Sequence, residues 1–206
     1  MKKLSYLFFI IGAIIFGFGG YQIISEQLSQ KNALVEAKEK VEVSGTSTAT
    51  TLNNVKEKEN KTEEVPLSNN DFSPSVGETI GILHIPKLES DLPIIEGTNE
   101  NELEKGVGHY QGTMFPGQGE QIVLSGHRDT VFRRMGELEI GDIMTVQLPY
   151  GDFSYEIVET QIVDAEDRTI IRPQGHEVLT VTTCYPFDYI GNAPDRYIIT
   201  ALPIEE

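Results

Sequence analysis

Cysteine is nearly absent from this chain of 206 residues, in which Cys184 stands alone. A single cysteine excludes an internal disulfide and any zinc site built from several cysteines. No segment repeats with the period of about 20 to 50 residues that is typical of solenoids and propellers. The fold must therefore be held together by ordinary hydrophobic packing within one medium-sized domain.

Basic residues are scarce in the larger part of the chain. Residues 71–206 contain 24 acidic against 8 basic side chains and carry the whole net charge of −16, whereas residues 1–70 are neutral. Because phosphate binding requires clustered basic side chains, this balance argues against nucleic acid as a partner. A solvated surface outside the cell explains the acidity more simply than a cation-binding patch.

One long apolar run is present, and it lies at the N-terminus. Residues 4–24 are uncharged over 21 positions and follow Lys2 and Lys3. At about 1.5 Å per residue this run is long enough to cross a membrane, whereas a cleaved signal peptide usually has only about 7 to 15 apolar residues. The two lysines favour an N-terminus inside the cell. We therefore expect residues 1–24 to form a retained anchor, with everything after Ile24 on the extracytoplasmic side.

The next part of the chain has the composition of a linker. Residues 25–43 favour a short stalk helix, and residues 44–70 lack aromatic side chains and sustained periodicity. Such a segment buries too little surface to offset its chain entropy. We expect residues 25–70 to be a stalk followed by a flexible tether, with the catalytic or binding domain over residues 71–206. Asn60 lies in a weak glycosylation motif.

From residue 71 onward, short apolar runs alternate with glycine, proline, asparagine and aspartate, a pattern typical of strands and turns. Strands are predicted over residues 80–85, 92–95, 122–125, 143–148, 153–163, 178–183 and 196–202. Short helices are predicted only over residues 99–109 and 131–138. Seven strands with so few helices predict an all-β domain, either a closed barrel or a sandwich.

Cys184 lies where a predicted strand ends. Alternation places Val178, Thr180, Thr182 and Cys184 on one face of the strand, and Leu179, Val181 and Thr183 on the other. Pro186 then interrupts the ladder because it has no N–H to donate. A strand end that enters a loop suits either a buried thiol or a nucleophile, and a nucleophile requires a partner that stabilises the thiolate.

Four histidines are available as that partner. His127 follows an apolar strand and a glycine, which is a position typical of catalytic side chains. His84 lies inside an apolar strand, where a structural role is expected, and His109 lies in a loop where either role fits. His176 lies in a predicted surface turn.

Arg196 is a candidate for stabilising a developing oxyanion, because its guanidinium is a fixed cationic fork. It begins a strand 12 residues after Cys184, and a sharp turn between them would make the two strands antiparallel neighbours. The alternative is a structural ion pair with Asp188 or Asp195.

Six segments in this order, GILHIPKL, LPIIEGT, GVGHY, VLSGHRDTVF, TVTTCYPF and APDRYIITA, resemble those of a sortase, a membrane-anchored cysteine transpeptidase of Gram-positive bacteria. The family signature Thr-Leu-x-Thr-Cys falls on residues 180–184, with Val181 where leucine is usual. The resemblance covers residues 78–203, and the TCYPF and APDRY segments are most similar to class D.

The resemblance implies a closed eight-stranded β-barrel, which is one strand more than the pattern predicts. It implies that Cys184 is the nucleophile, His127 the acid and base, and Arg196 the stabiliser of the transition state. It also implies that Thr183 helps to position the substrate or the oxyanion.

The implied reaction cleaves an LPxTG-like sorting signal after its threonine, through a thioacyl enzyme, and transfers the protein to a peptidoglycan amine. The implied partners are secreted surface proteins, a lipid-linked cell-wall precursor and the membrane. Two alternatives stay open from the residues alone: an extracellular cysteine peptidase that uses water as acceptor, and a non-catalytic binding barrel.

No obligatory cofactor is expected. Some sortases are stimulated by calcium, and the loops carry carboxylates that suit this cation. The candidates are Glu100, Glu102, Glu104, Glu166 and Asp167. A solvated acidic surface explains the same residues, so calcium stimulation stays open.

Overall fold

Eight strands close into a barrel in the structure, a computed structural model that describes residues 2–45, 69, 72–189, 191 and 193–204. The elements are α1 (Lys2–Gly45), β1 (Thr79–Ile85), β2 (Ser90–Glu96), α2 (Glu100–Leu103), β3 (Val107–His109), β4 (Gln121–Ser125), β5 (Ile143–Leu148), β6 (Gly151–Asp164), β7 (Val178–Tyr185) and β8 (Asp195–Pro203). Neighbours around the ring are β1, β2, β3, β4, β7, β8, β6 and β5. A closed barrel with eight strands is therefore confirmed, and the sandwich is wrong.

The strand pattern follows the alternation of the sequence. In β5, Met144, Val146 and Leu148 are buried and the side chains between them are partly exposed, as their period of two predicts. Most neighbouring strands are antiparallel, but β4 runs parallel to β7 and β2 runs parallel to β3. The parallel pair of β4 and β7 is the one that organises the site described below.

Strand β3 is the element that the sequence pattern missed. Residues 99–109 were expected to form a helix, but α2 ends at Leu103 and residues 107–109 pair with β2 and β4. Gly108 permits this close approach, since a Cβ there would lie 2.4 Å from the carbonyl oxygen of Gly97. The second expected helix, over residues 131–138, is reduced to a 3₁₀ turn at Met135–Glu137.

Helix α1 is continuous through the expected boundary between anchor and stalk. Its C-terminal part lies against the β1–β2 hairpin, where Ala33 and Ala37 are buried. Lys38 Nζ lies 3.0 Å from Asp91 Oδ2, and Lys40 Nζ donates to the carbonyl oxygen of Thr79 at 2.8 Å. These contacts attach the last turns of α1 directly to the barrel.

Over the described part of the chain, no helix is identified as both long and apolar enough to cross a membrane. Most of the expected tether, including Asn60, lies outside the described residues. The division into anchor, linker and extracytoplasmic domain stays a prediction.

Candidate active site

Cys184 and Arg196 are paired residues of the antiparallel strands β7 and β8. Paired residues in an antiparallel ladder direct their side chains to the same face of the sheet. The prediction that these strands are antiparallel neighbours is therefore confirmed. Both residues are partly exposed at the end of the barrel where the β7–β8 loop begins and ends.

The guanidinium of Arg196 is held by backbone carbonyls. Nη1 donates to the carbonyl oxygen of Asp195 at 3.0 Å and to that of Ala193 at 3.3 Å. Within the described residues Arg196 forms no salt bridge, so the expected alternative of an ion pair with Asp188 or Asp195 is not seen. Only Nη1 of Arg196 is used in these two bonds, so the other N–H donors of its guanidinium can bind another acceptor on the outer face.

His127 reaches the same end of the barrel through strand β4. Ser125 of β4 pairs with Thr182 of β7, and the N–H of Gly126 continues the ladder by donating to the carbonyl oxygen of Thr182 at 3.2 Å. His127 follows Ser125 by two residues, so it lies just past the end of β4 that pairs with β7. The three residues expected to be catalytic therefore come from three neighbouring chain segments.

A carboxylate approaches the imidazole of His127. Nε2 of His127 lies 3.6 Å from Oε1 of Glu100, whose side chain is mostly exposed. The separation exceeds an ordinary hydrogen bond, and water screens so exposed a charge.

Thr183 lies on the opposite face from Cys184, inside the barrel. It is buried, and its hydroxyl donates to the carbonyl oxygen of Gly126 at 2.7 Å. The side chain next to Cys184 therefore holds the residue that precedes His127. Its expected part in positioning substrate or oxyanion stays a prediction, and this geometry favours an effect exerted through His127.

Arg128 is a residue that the sequence interpretation missed. It is buried, its two terminal nitrogens donate to the carbonyl oxygens of Pro186 and Gly191 at 3.0 Å each, and its guanidinium lies 5.8 Å from the ring centre of Tyr189. It thus ties the loop after β4 to the β7–β8 loop. The one available signal was its position directly after His127.

Aromatic side chains pack at the end of the barrel interior, on the face opposite to that of Cys184. The rings of Tyr185 and Tyr197 are stacked with centres 6.3 Å apart, and Phe187 meets both edge to face. Phe187 also covers Gly136, where a Cβ would lie 2.9 Å from its ring. These rings extend the hydrophobic core beneath the strand ends that carry Cys184 and Arg196.

A cavity of about 360 Å³ continues along the same outer face, away from Cys184. Its floor is formed by side chains of β4, β6, β7 and β8, among them Gln121, Gln161, Thr180 and Thr200. Its wall is formed by the β6–β7 loop (residues 165–177), including Ile170 and Arg172. We call this cavity the groove.

The other histidines lie apart from this arrangement. His84 Nδ1 is 2.7 Å from Asp91 Oδ1, which agrees with the structural role expected for it. His109 is buried, with Nδ1 2.7 Å from Glu96 Oε2 and Nε2 3.1 Å from the carbonyl oxygen of Met114, so both ring nitrogens are engaged. His176 is exposed at the rim of the groove.

The carboxylates considered for calcium are not gathered into one site. Among the described residues no three His, Cys, Asp or Glu side chains are arranged to hold a metal ion. Glu102 instead accepts the N–H of Asn99 at the start of α2, and Asp167 accepts the hydroxyl and the N–H of Thr169. The two Thr169 donors lower the pKa of Asp167, first through the side chain and then through the backbone.

Comparison with known proteins places these observations in a family. A Sortase domain model matches residues 83–204. The chain is 49% identical to Sortase D of Bacillus subtilis (strain 168), with 97% of each chain covered. It is 30% identical to Sortase SrtE1 of Streptomyces coelicolor over 56% of this chain and 38% of that protein.

Solved structures agree with the sequence comparison. The catalytic domain of Bacillus anthracis SrtD is 40% identical with a TM-score of 0.56, over 70% of this chain and 97% of that one. The Sortase D5 transpeptidase of Clostridium perfringens is 25% identical with a TM-score of 0.64, over 86% of this chain and 99% of that one. The similarity thus extends through sequence and fold alike.

Proposed function

The chain belongs to the sortase family of cysteine transpeptidases, and its similarity to Sortase D proteins supports class D; from that premise we propose its substrate and its catalytic residues. The substrate is an LPxTG-like sorting signal at the end of a secreted surface protein. The enzyme cleaves it after the threonine and transfers the protein to an amine of a peptidoglycan precursor.

The observation that carries the proposal is the pairing of Cys184 with Arg196 on one face of the barrel. A nucleophile and a cationic donor on the same face suit attack on a carbonyl followed by stabilisation of the oxyanion. His127, brought to the same end by β4, supplies the proton transfers that both halves of the reaction require.

In the first half, the thiolate of Cys184 attacks the threonine carbonyl and forms a tetrahedral oxyanion that Arg196 stabilises. The carbon–nitrogen bond then breaks, and His127 gives its proton to the departing amine. A thioester joins the surface protein to Cys184, and the C-terminal fragment leaves.

In the second half, the acceptor amine attacks the thioester while His127 takes its proton. The carbon–sulfur bond breaks, Cys184 returns as thiolate, and an amide joins the surface protein to the wall precursor. The sequence of two displacements at one sulfur predicts ping-pong kinetics.

A location on the outer face of the membrane suits these substrates. The uncharged run over residues 4–24, preceded by Lys2 and Lys3, supports a single-pass anchor with its N-terminus inside. The partners are then the membrane, secreted proteins that carry the signal and a lipid-linked precursor. No obligatory cofactor is part of this proposal, and calcium serves at most as a stimulator.

The decisive experiment incubates the full-length protein in detergent micelles with a labelled sorting peptide and an amine acceptor. Mass spectrometry should detect a thioester on Cys184 and an amide product. Cys184→Ala should abolish both, and His127→Ala should remove acylation and turnover.

Two results would redirect the interpretation. Hydrolysis without amide product, under every acceptor tried, would favour the peptidase with water as acceptor. Binding of the peptide without any cleavage would favour the non-catalytic barrel.

A further inference from the structure

The wall of the groove is attached to the barrel by two consecutive residues, Glu120 and Gln121. They stand at the start of β4, whose next residues, Ile122, Val123 and Leu124, are buried in the barrel. A strand so anchored is a rigid support for side chains that hold a loop.

Gln121 uses its whole amide in this attachment. Its Nε2 donates to the carbonyl oxygen of Ile170 at 2.8 Å and to the hydroxyl of Thr180 at 2.9 Å, while its Oε1 accepts the N–H of Arg172 at 3.0 Å. The residue is buried, so each of these bonds replaces a contact with water that it has lost. Gln121 therefore links the floor of the groove at Thr180 to the wall at Ile170 and Arg172.

Glu120 attaches the next turn of the same loop. Its carboxylate accepts the N–H of Gln174 at 2.6 Å and that of Gly175 at 3.0 Å. These two backbone donors, Gln174 first and Gly175 second, lower the pKa of the carboxyl group. Hydrogen bonds to an ionised acceptor are stronger than those between neutral groups.

We propose that Glu120 and Gln121 are positioning residues that hold the β6–β7 loop as a preformed wall of the groove and so govern which peptide segments it accepts. The proposal rests on the sorting-signal function proposed above. The two side chains hold the loop at residues 170, 172, 174 and 175, so the wall is ordered before any peptide binds. Recognition then costs less loop entropy than it would for a loop that orders on binding.

The first test needs no substrate and measures amide hydrogen exchange of the full-length protein in detergent micelles. Gln121→Met keeps the side-chain length but removes all three hydrogen bonds, and Glu120→Gln weakens the acceptor. Each variant should speed exchange in the segment 170–176 by about tenfold, the effect of losing roughly one net hydrogen bond, while β7 stays protected. Glu166→Gln, an exposed carboxylate of the same loop, is the matched control and should leave exchange unchanged.

The second test measures steady-state kinetics with sorting peptides altered at positions remote from the cleaved bond. Gln121→Met should raise KM by about tenfold with little change in kcat, and should narrow the difference between good and poor peptides. If Gln121→Met also speeds amide exchange in β7, KM and peptide preference are compared between the native protein and Glu120→Gln, because the side chain of Glu120 lies outside the core.

The outcomes separate the two proposals. Unchanged exchange over residues 170–176 in both variants would overturn the attachment. Faster exchange with an unaltered KM and unaltered peptide preference would overturn its part in recognition. A native protein that forms no amide product with any peptide would instead overturn the proposed function, and the exchange result would stand.

Discussion

The hydroxyl of Thr183 donates a hydrogen bond of 2.7 Å to the carbonyl oxygen of Gly126 inside the barrel. Each member of this pair lies directly before a proposed catalytic residue: Thr183 precedes Cys184, and Gly126 precedes His127. A buried hydrogen bond thus joins the two chain segments that carry the proposed nucleophile and acid.

Replacing Thr183 by valine should test this contact. Valine keeps the branched shape but leaves the carbonyl of Gly126 without its donor, at a cost of about 1 to 3 kcal/mol in the free energy of unfolding. We expect a lower kcat as well, because His127 loses its support. Denaturant unfolding and steady-state kinetics measure the two effects, and Thr183→Ser should restore both. A Thr183→Val enzyme with native kcat would show that the contact serves stability alone.

Replacing Arg196 by lysine should affect the chemical step. Lysine keeps the charge but loses the planar fork that backbone carbonyls hold in place. Loss of an oxyanion donor should reduce kcat by about 10²- to 10³-fold with a similar KM. Arg133→Lys, at an exposed arginine outside the groove, is the control. Native kcat in Arg196→Lys would refute the role assigned to the fork.

Replacing Arg128 by lysine should loosen the β7–β8 loop. A single ammonium cannot satisfy the carbonyls of both Pro186 and Gly191 in the geometry of the guanidinium. Hydrogen exchange over residues 186–191 should become faster and kcat/KM should fall. Arg134→Lys, which alters an exposed ion pair with Glu137, should change neither measurement.

Acid should weaken the attachment of α1 to the barrel. The hydrogen bond from His84 and then that from Lys38 lower the pKa of Asp91 below its ordinary value. A lowered pKa means that the contribution of Asp91 is complete above about pH 4 and is lost as the pH falls through the lowered value.

Exchange protection over residues 33–40, corrected for intrinsic rates, should therefore be constant at neutral pH and decrease only below about pH 4. At pH 7, Asp91→Asn should lower the exchange protection of residues 33–40 only slightly, since exposed ion pairs contribute roughly 0 to 1 kcal/mol. Loss of protection already at pH 6 would contradict the role assigned to Asp91.

The sequence predicted those parts of the molecule that depend on neighbouring residues. Alternation along residues 143–148 and 178–184 was enough to assign faces, and the placement of Cys184 opposite the buried Leu179, Val181 and Thr183 is confirmed. The short turn between Cys184 and Arg196 likewise fixed their strands as neighbours.

The missed features depend on residues far apart in the chain. Strand β3 pairs with β2 and β4, and Gly108 permits the close approach to the carbonyl of Gly97, a contact that no local pattern contains. In the sequence, Arg128 and Gln121 look like ordinary polar residues. Their roles show only in the fold, where they bind backbone carbonyls of Pro186 and Ile170, which are far away in the sequence. Buried polar side chains that join two loops are therefore the least predictable part of this site.

The attachment of α1 to β1 determines on which side of the barrel the N-terminal helix lies. Strand β1 is four strands from β7 in either direction around the ring, so the groove opens on the side of the barrel opposite the helix. A protein immobilised through its N-terminus, on a bead or on a lipid surface, would therefore present its catalytic side to the medium.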